Sequence, residues 1–314
     1  MRSKIFLYCI LSFLTTSTFG QTGQPVTLHT KTGNIEGTLL IPETKKQIPV
    51  VLLIAGSGPV DRDGNAGKLK MNSLKMIADS LYEHGIASLR YDKRGVGESG
   101  GALTSVSDLR FDDFIQDAIG WVHFLSDDKR FNSIIVAGHS QGSLIGMIAA
   151  QQKAVSKFIS LEGAGEPIYE VLKKQLQEQP PFVWLMSEPI LDSLKKGKTV
   201  DSIPKILYSL FRPSVQPFLI SWFHYNPQTE IKKLNKPVLI VQGTHDIQVG
   251  VEDAENLAKA DPEAKLEIIP GMSHILKNGP KDRVENIQTY YNPDLPLNKQ
   301  FVKVMLNFIN APEK

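Results

Sequence analysis

Ser133-Ile134-Ile135-Val136-Ala137-Gly138-His139-Ser140-Gln141-Gly142-Ser143-Leu144-Ile145 is the stretch on which the reading of this chain turns. Its first five residues, mostly branched and apolar, have the composition of a short strand buried on both faces, and the apolar positions after Gly142 open a helix. Between them, Gly138-x-Ser140-x-Gly142 sets a serine on a sharp strand-to-helix turn. There the hydroxyl stands clear of the chain, and the flanking glycines allow the close backbone approach that such a turn demands. The bare pattern arises by chance in roughly one chain of this length in ten, since glycine and serine each make up about 7% of residues. Its place after a buried strand and before a helix makes it informative, and it marks Ser140 as the candidate nucleophile.

A nucleophilic serine needs a base for its proton and a carboxylate to orient that base. On an open parallel sheet these partners come later in the chain, in the order Ser, Asp or Glu, His, each just past a strand end. Asp246 follows the expected strand Pro237–Gln242, and His274 follows Lys265–Ile269 in Pro270-Gly271-Met272-Ser273-His274. Glu162 closes the preceding strand in Ser160-Leu161-Glu162-Gly163 and is the rival carboxylate, with Asp246 favoured by its position. His139 and His245, adjacent in sequence to the site, read as packing or hydrogen-bonding residues. Acyl transfer also needs donors for an oxyanion. One is the backbone N–H of Gln141; the other is expected from Gly56-Ser57-Gly58-Pro59, with Ser57 N–H the first choice and Gly58 N–H the alternative.

Outward from the elbow, apolar runs alternate with amphipathic ones. Strands are expected at Pro25–Thr30 and Ile35–Ile41, as an opening hairpin, then at Pro49–Ala55, Ile86–Tyr91, Ser133–Ala137, Lys157–Leu161, Pro237–Gln242 and Lys265–Ile269. Helical spacing fills the gaps at Met71–His84, Asp108–Leu125, Leu144–Gln152, Val251–Lys259 and Asn298–Ile309. This alternation predicts an α/β fold with a mostly parallel eight-stranded sheet and helices on both faces. The rhythm stops between Glu166 and Glu230, a segment holding eight of the nineteen prolines and nine of the twenty-five aromatics. It reads as a helical cap inserted over the sheet, whose aromatics either pack its own small core or roof a substrate pocket. The expected organisation is a signal segment 1–20, a core domain made of 21–165 and 231–314, and a cap at 166–230.

Composition narrows the function classes. The 314 residues are 41% hydrophobic and 22% charged, which excludes a disordered or fibrous chain. A formal charge of +2 gives no basic face for nucleic acid, and one cysteine builds neither a disulfide nor a cysteine zinc site. No His-Glu-x-x-His or phosphate-loop pattern occurs, so neither a metal nor a cofactor is expected. Gly95-Val96-Gly97-Glu98-Ser99-Gly100 fits the dinucleotide fingerprint, but it stands alone and off the first βα unit. At the N-terminus, Arg2 and Lys4 precede the apolar run Ile5–Leu14, and Thr18-Phe19-Gly20 offers small residues for a cut before Gln21. That run is too short to span a bilayer, so it reads as an export signal leading to the periplasm or the medium, with no membrane attachment after cleavage. Cleavage removes Cys9 and turns 35 basic against 33 acidic residues into 33 against 33, a neutral, thiol-free chain.

The elbow, its two partners and two further runs together resemble the α/β-hydrolase superfamily over nearly the whole chain. The runs are Gly56-Ser57-Gly58-Pro59-Val60-Asp61-Arg62-Asp63 and Leu89-Arg90-Tyr91-Asp92-Lys93-Arg94-Gly95-Val96-Gly97-Glu98-Ser99. They are similar to the bacterial serine carboxylesterases of the esterase D type. The resemblance implies cofactor-free hydrolysis of small, short-chain acyl esters and a helical cap inserted after the sixth strand. A serine peptidase of the prolyl or aminopeptidase type shares the machinery, and a non-catalytic binding protein on the same scaffold is the alternative from another class. From the residues themselves, Asp61, Arg62, Asp63, Asp92 and Arg94 are expected to pair with one another and fix the loop carrying the oxyanion donor.

Overall fold

The computed structural model describes residues 23–312; the expected signal segment 1–20, with Cys9, lies outside them. Eight strands form one sheet: β1 Gln24–Thr30, β2 Gly33–Leu40, β3 Ile48–Ile54, β4 Ala87–Tyr91, β5 Phe131–His139, β6 Val155–Leu161, β7 Val238–Gly243 and β8 Lys265–Ile269. Their order across the sheet is β1-β2-β4-β3-β5-β6-β7-β8. β2 runs antiparallel to both β1 and β4, and every pair from β4 onward is parallel. Because the six parallel strands share a direction, the loops after them open on the same edge, where open α/β sheets bind their ligands.

Eleven α-helices complete the described chain: α1 Ser73–Glu83, α2 Phe111–Ser126, α3 Gln141–Ala149, α4 Ile168–Gln177, α5 Pro181–Lys195, α6 Tyr208–Phe211, α7 Gln216–Trp222, α8 Pro227–Ile231, α9 Val251–Ala260, α10 Arg283–Gln288 and α11 Lys299–Asn310. Alternation along the strands sorts the core into two layers. Val50, Leu52, Ile54, Val136 and Phe158 face α2, α3 and α9. Val51, Leu53, Ala137, Ile159 and Val241 face α1 and α11. Both faces are therefore apolar, which is why these strands read as continuous Val, Ile and Leu runs.

Between β6 and β7 the chain leaves the sheet and builds α4 to α8. Leu172, Leu176, Val183, Leu191, Leu194 and Phe211 form a separate apolar cluster there. Trp222, at the end of α7, ties this cluster to the main core by stacking on Phe111 of α2, with ring centroids 5.2 Å apart and planes 4° apart. Beside it the Ser221 hydroxyl accepts the Phe111 backbone N–H at 2.8 Å. α8 runs across the expected boundary at 230, and its last residue, Ile231, is buried in the main core. No helix among the described residues is long and apolar enough to cross a membrane.

The charged residues after β3 and β4 pair differently from expectation. Arg62 does bond Asp92 (2.7 Å), and the Asp92 carboxylate also accepts the backbone N–H groups of Arg62 and Glu98. Asp63, however, is held by Arg90 on β4, and Asp61 accepts backbone N–H groups within its own loop. Arg94 turns away from them to a two-pronged pair with Asp117 on α2, at 2.5 and 3.1 Å, because that carboxylate is buried against it on the other side of the loop. Gly97 has φ +50°, and a Cβ there would run into the Asp92 carboxylate. Gly97 thus serves a tight turn around Asp92.

Removing one partner of a buried ion pair leaves the other charge unsolvated. Asp117→Ala is expected to lower unfolding stability by about 3–5 kcal/mol, whereas Glu170→Ala, which breaks an exposed pair with Lys195 at 3.5 Å, should change it by less than about 1 kcal/mol. Urea denaturation of the two variants checks this; equal effects would refute it.

Candidate active site

The five sequence-predicted residues Ser140, Gln141, Ser57, Asp246 and His274 meet at the carboxyl edge of the sheet. Ser140 sits between β5 and α3 with φ +54° and ψ −121°, a conformation that an L-residue adopts only under constraint. The constraint is visible around it. A Cβ on Gly138 would strike the carbonyl of Gly142, and one on Gly142 would strike the carbonyl of Ile54 on β3, so both glycines are required by contact. Ser140 N–H donates to the Leu161 carbonyl on β6 at 2.8 Å, which pins the turn to the neighbouring strand end. α3 starts directly at Gln141, three residues earlier than the apolar periodicity suggests, because the turn feeds straight into it.

His274 lies beyond β8, and its Nδ1 meets Asp246 Oδ2 at 2.6 Å, with both side chains almost fully buried. The other Asp246 oxygen accepts the backbone N–H groups of Gln248 (2.7 Å) and Val249 (3.0 Å). Burial pushes the Asp246 carboxyl up, but the His274 imidazole and these donors outweigh it and hold it at about 2. Asp246 is thus the ionised partner of His274. His139 packs beneath, its ring centroid 4.8 Å from that of His274, and its Nε2 donates to the His274 carbonyl at 2.7 Å. Burial, with His274 beside it, drops the His139 imidazole to about 3, so the ring is neutral. His245 donates through Nδ1 to the Gly279 carbonyl at 2.7 Å.

Glu162 does not replace Asp246; it stands behind it. Its oxygens accept the Gly243 N–H at 3.0 and 3.1 Å, and its carboxyl shares a hydrogen bond with Asp246. Ligand-type atoms of Glu162, Asp246 and His274 lie within 4.8 Å of one another. Two buried carboxyl groups this close hold one proton between them. Asp246 receives more donors and faces the imidazole, so the proton resides on Glu162, whose carboxyl is raised well above its ordinary value by burial and then by Asp246. Lys93, at the end of β4, escaped notice in the sequence because it sits between Asp92 and Arg94 in what reads as an exposed charged loop. It is 1% exposed. Its Nζ donates to the Gly56 carbonyl and lies 3.5 Å from Gln141 Oε1, and burial lowers the ammonium to about 7.

The expected oxyanion loop packs directly on the elbow: a Cβ at Gly56 would sit 3.2 Å from the Ser140 Cβ. Two cavities flank Ser140 and Ser57. One, of about 190 Å³, is walled by Val60, Leu69, Met71, Ile275 and His274. The other, of about 280 Å³, lies under the inserted helices and is walled by Leu144, Ile168, Val171, Leu172 and Trp222.

This sheet order, with a serine elbow after the fifth strand, is the α/β-hydrolase fold. Residues 70–169 match the family model of the serine aminopeptidases, S33. Over 258 residues the chain is 27% identical to Esterase EstD of Thermotoga maritima, an alignment covering 78% of this chain and 58% of that protein. The chain therefore spans less than two thirds of the length of this curated relative. Est1E from Butyrivibrio proteoclasticus, solved with ferulic acid bound, shares the fold with a TM-score of 0.61 at 19% identity, covering 91% of this chain and all of that one. The Pyrococcus furiosus esterase Pf2001 does so with a TM-score of 0.56 at 17% identity, covering 91% and 89%.

The extra proton on Glu162 has a sign. Above pH 4.5, the ordinary value for glutamate, the unfolded chain has lost this proton while the folded one keeps it, so this group's contribution to stability falls as pH rises, by up to about 1.4 kcal/mol per unit. Glu162→Gln keeps a donor towards Asp246 without a titrating proton, and is expected to flatten the decline of urea-unfolding stability between pH 5 and 8. Parallel profiles for wild type and variant would place the proton elsewhere.

Proposed function

We propose that this chain is a serine hydrolase of carboxylic esters, acting through Ser140, His274 and Asp246. The observation that carries the reading is the 2.6 Å contact of His274 Nδ1 with an ionised, buried Asp246, on the wall of the same cavity that Ser140 lines. With Nδ1 held by Asp246, the His274 ring keeps Nε2 for Ser140. Ser140 Oγ attacks the ester carbonyl carbon while its proton passes to His274, and Asp246 stabilises the imidazolium. The backbone N–H groups of Gln141 and Ser57 hold the oxyanion; Gln141 opens α3, so the positive end of the helix dipole adds to its donor. The proton on His274 then goes to the leaving alkoxide, and an acyl group remains on Ser140. Water, deprotonated by the same histidine, attacks this acyl-enzyme and releases the acid.

Short acyl chains suit the small, mostly apolar 190 Å³ cavity beside His274, and the name of the EstD relative supports esters over amides. The second reading, an aminopeptidase, rests on the family model that matches residues 70–169. Such an enzyme must hold a substrate ammonium with carboxylates. Glu166 is the one acidic residue on the wall of the second cavity, and it is already paired with Lys174 at 2.6 Å. The segment 166–230 acts in this reading as a cap over the second cavity. The N-terminal 1–20 segment directs export to the periplasm or the medium.

Ser140→Ala should lower turnover of nitrophenyl esters by about 10⁴–10⁶ while leaving the fold intact, and a fluorophosphonate should label wild type at Ser140 only. A folded protein that neither labels nor loses activity on this substitution would sink the proposal. A series of nitrophenyl esters of rising chain length, run beside aminoacyl amides, should show turnover peaking at short acyl esters; preference for the amides would favour the peptidase.

A further inference from the structure

Lys93 is a buried ammonium without a carboxylate. Among the described residues it makes no ion pair; its surroundings are the Gly56 carbonyl, the Gln141 side-chain oxygen at 3.5 Å and the face of the Phe114 ring, 5.2 Å from Nζ. An isolated charge in such a place is unfavourable, and among the described residues no carboxylate offsets it. The charge therefore calls for an account in terms of what it faces.

It faces the back of one particular peptide unit. The Gly56 carbonyl that accepts from Lys93 belongs to the same planar amide as the Ser57 N–H, and in a trans peptide the two bonds point in opposite directions. No peptide among the described residues is cis. Holding the carbonyl from behind thus turns the Ser57 N–H towards the front, where Ser57 lines both cavities beside Ser140. A cation on the carbonyl oxygen also draws electron density through the amide and makes its N–H a stronger donor, and hydrogen bonds in a chain polarise one another. The contact to Gln141 Oε1 brings the residue of the second donor into the same grip.

We infer that Lys93 is a positioning residue for the oxyanion hole: it fixes and polarises the Gly56–Ser57 amide from behind, so that its charge acts on the negative charge that develops on the substrate oxygen. The inference rests on the serine-hydrolase reading above. It adds no covalent step: the electron pair released from the carbonyl π bond when Ser140 Oγ adds to carbon settles on that oxygen, and the proton from Oγ goes to His274. Lys93 neither gains nor loses a bond. Its field, with no fixed counter-ion, is matched only when the oxyanion is present, which is the condition for stabilising a transition state in preference to the ground state.

The test compares wild type, Lys93→Met and Lys93→Arg at pH 7, with rates normalised to the fraction of enzyme titrated by a fluorophosphonate. Lys93→Met is expected to lower kcat for a nitrophenyl ester about 10–100-fold, less than the loss of a direct donor, with KM changed less than about threefold. Its inhibition constant for an alkyl trifluoromethyl ketone, which forms a hemiketal oxyanion on Ser140, should weaken in proportion to kcat/KM, as transition-state mimics do. Lys93→Arg, which keeps the cation, should recover part of both. If the Met variant does not fold, Lys93→Gln gives the same comparison. A wild-type kcat and ketone affinity in Lys93→Met, or a loss confined to KM or to the titrated fraction, would overturn the inference. Failure of the serine-hydrolase reading looks different: wild type itself would then resist the fluorophosphonate and bind the ketone no better than Ser140→Ala does.

Discussion

The backbone at Ser140 stands at φ +54°, ψ −121°, and a non-glycine residue held there costs on the order of 1–3 kcal/mol. Such a turn persists only where its surroundings leave no other choice. Three strands meet that condition. Ile54 on β3 lies so close behind Gly142 that no side chain fits, Leu161 on β6 takes the Ser140 N–H, and β5 carries the turn itself. The parallel register of β3, β5 and β6 is thus what stores the strain, and the two core layers that cover those strands keep the register. The stability of the sheet and the exposure of the serine are one property seen from two sides.

Around that turn the molecule keeps several charged groups out of water, and their partners differ in kind. Arg94 and Asp117 neutralise each other, and Arg62 and Asp92 do the same while gathering backbone N–H groups; these pairs hold the loops after β3 and β4 in place. Asp246 is different, because its partner His274 carries charge only when protonated. Glu162 completes that arrangement: a neutral carboxyl behind Asp246 supplies a hydrogen bond without a second negative charge, so the carboxylate keeps its full field for the imidazole. Among the described residues Lys93 has no carboxylate partner, and its Nζ donates to the Gly56 carbonyl. The structural pairs are balanced at rest, whereas Asp246, Glu162 and Lys93 stand around Ser140, where charge moves in the reaction proposed above.

How much of this was legible in the sequence follows from the range of each interaction. The elbow is local, since strand, Gly-x-Ser-x-Gly and helix are contiguous, and the order of Asp246 and His274 along the chain follows from the parallel sheet. The central strands β3 to β7 are readable because they are buried on both faces. What escaped depends on packing across elements. Arg94 lies two residues from Asp92 in sequence, and only the seating of α2 against the loop selects Asp117 instead. Lys93, flanked by two charged residues, carries no local mark of burial. Glu162 was visible as a candidate for the histidine's partner, but that both carboxyls are used, one ionised and one neutral, depends on the Gly243 N–H and the turn after β7. The helices between 168 and 231 are short and broken by prolines, so no periodicity runs long enough to delimit them.

The inserted helices contribute walls rather than reactive groups. Leu172, Val171 and Trp222 line the second cavity, yet Ser140, Asp246, His274, Ser57 and Lys93 all come from strand ends of the main sheet. The insertion has its own apolar cluster, joined to the core where Trp222 stacks on Phe111 and where α8 packs beneath. A wall supported by a separate cluster can change its side chains without disturbing the register of β3, β5 and β6 that holds the elbow. On the hydrolase reading proposed above, selectivity rests with the walls of the insertion and rate with the loops after the strands, and the two meet where the cavities share a wall. Ser57, Ser140 and Gln248 line both cavities, and Lys93 grips the Gly56–Ser57 amide from behind.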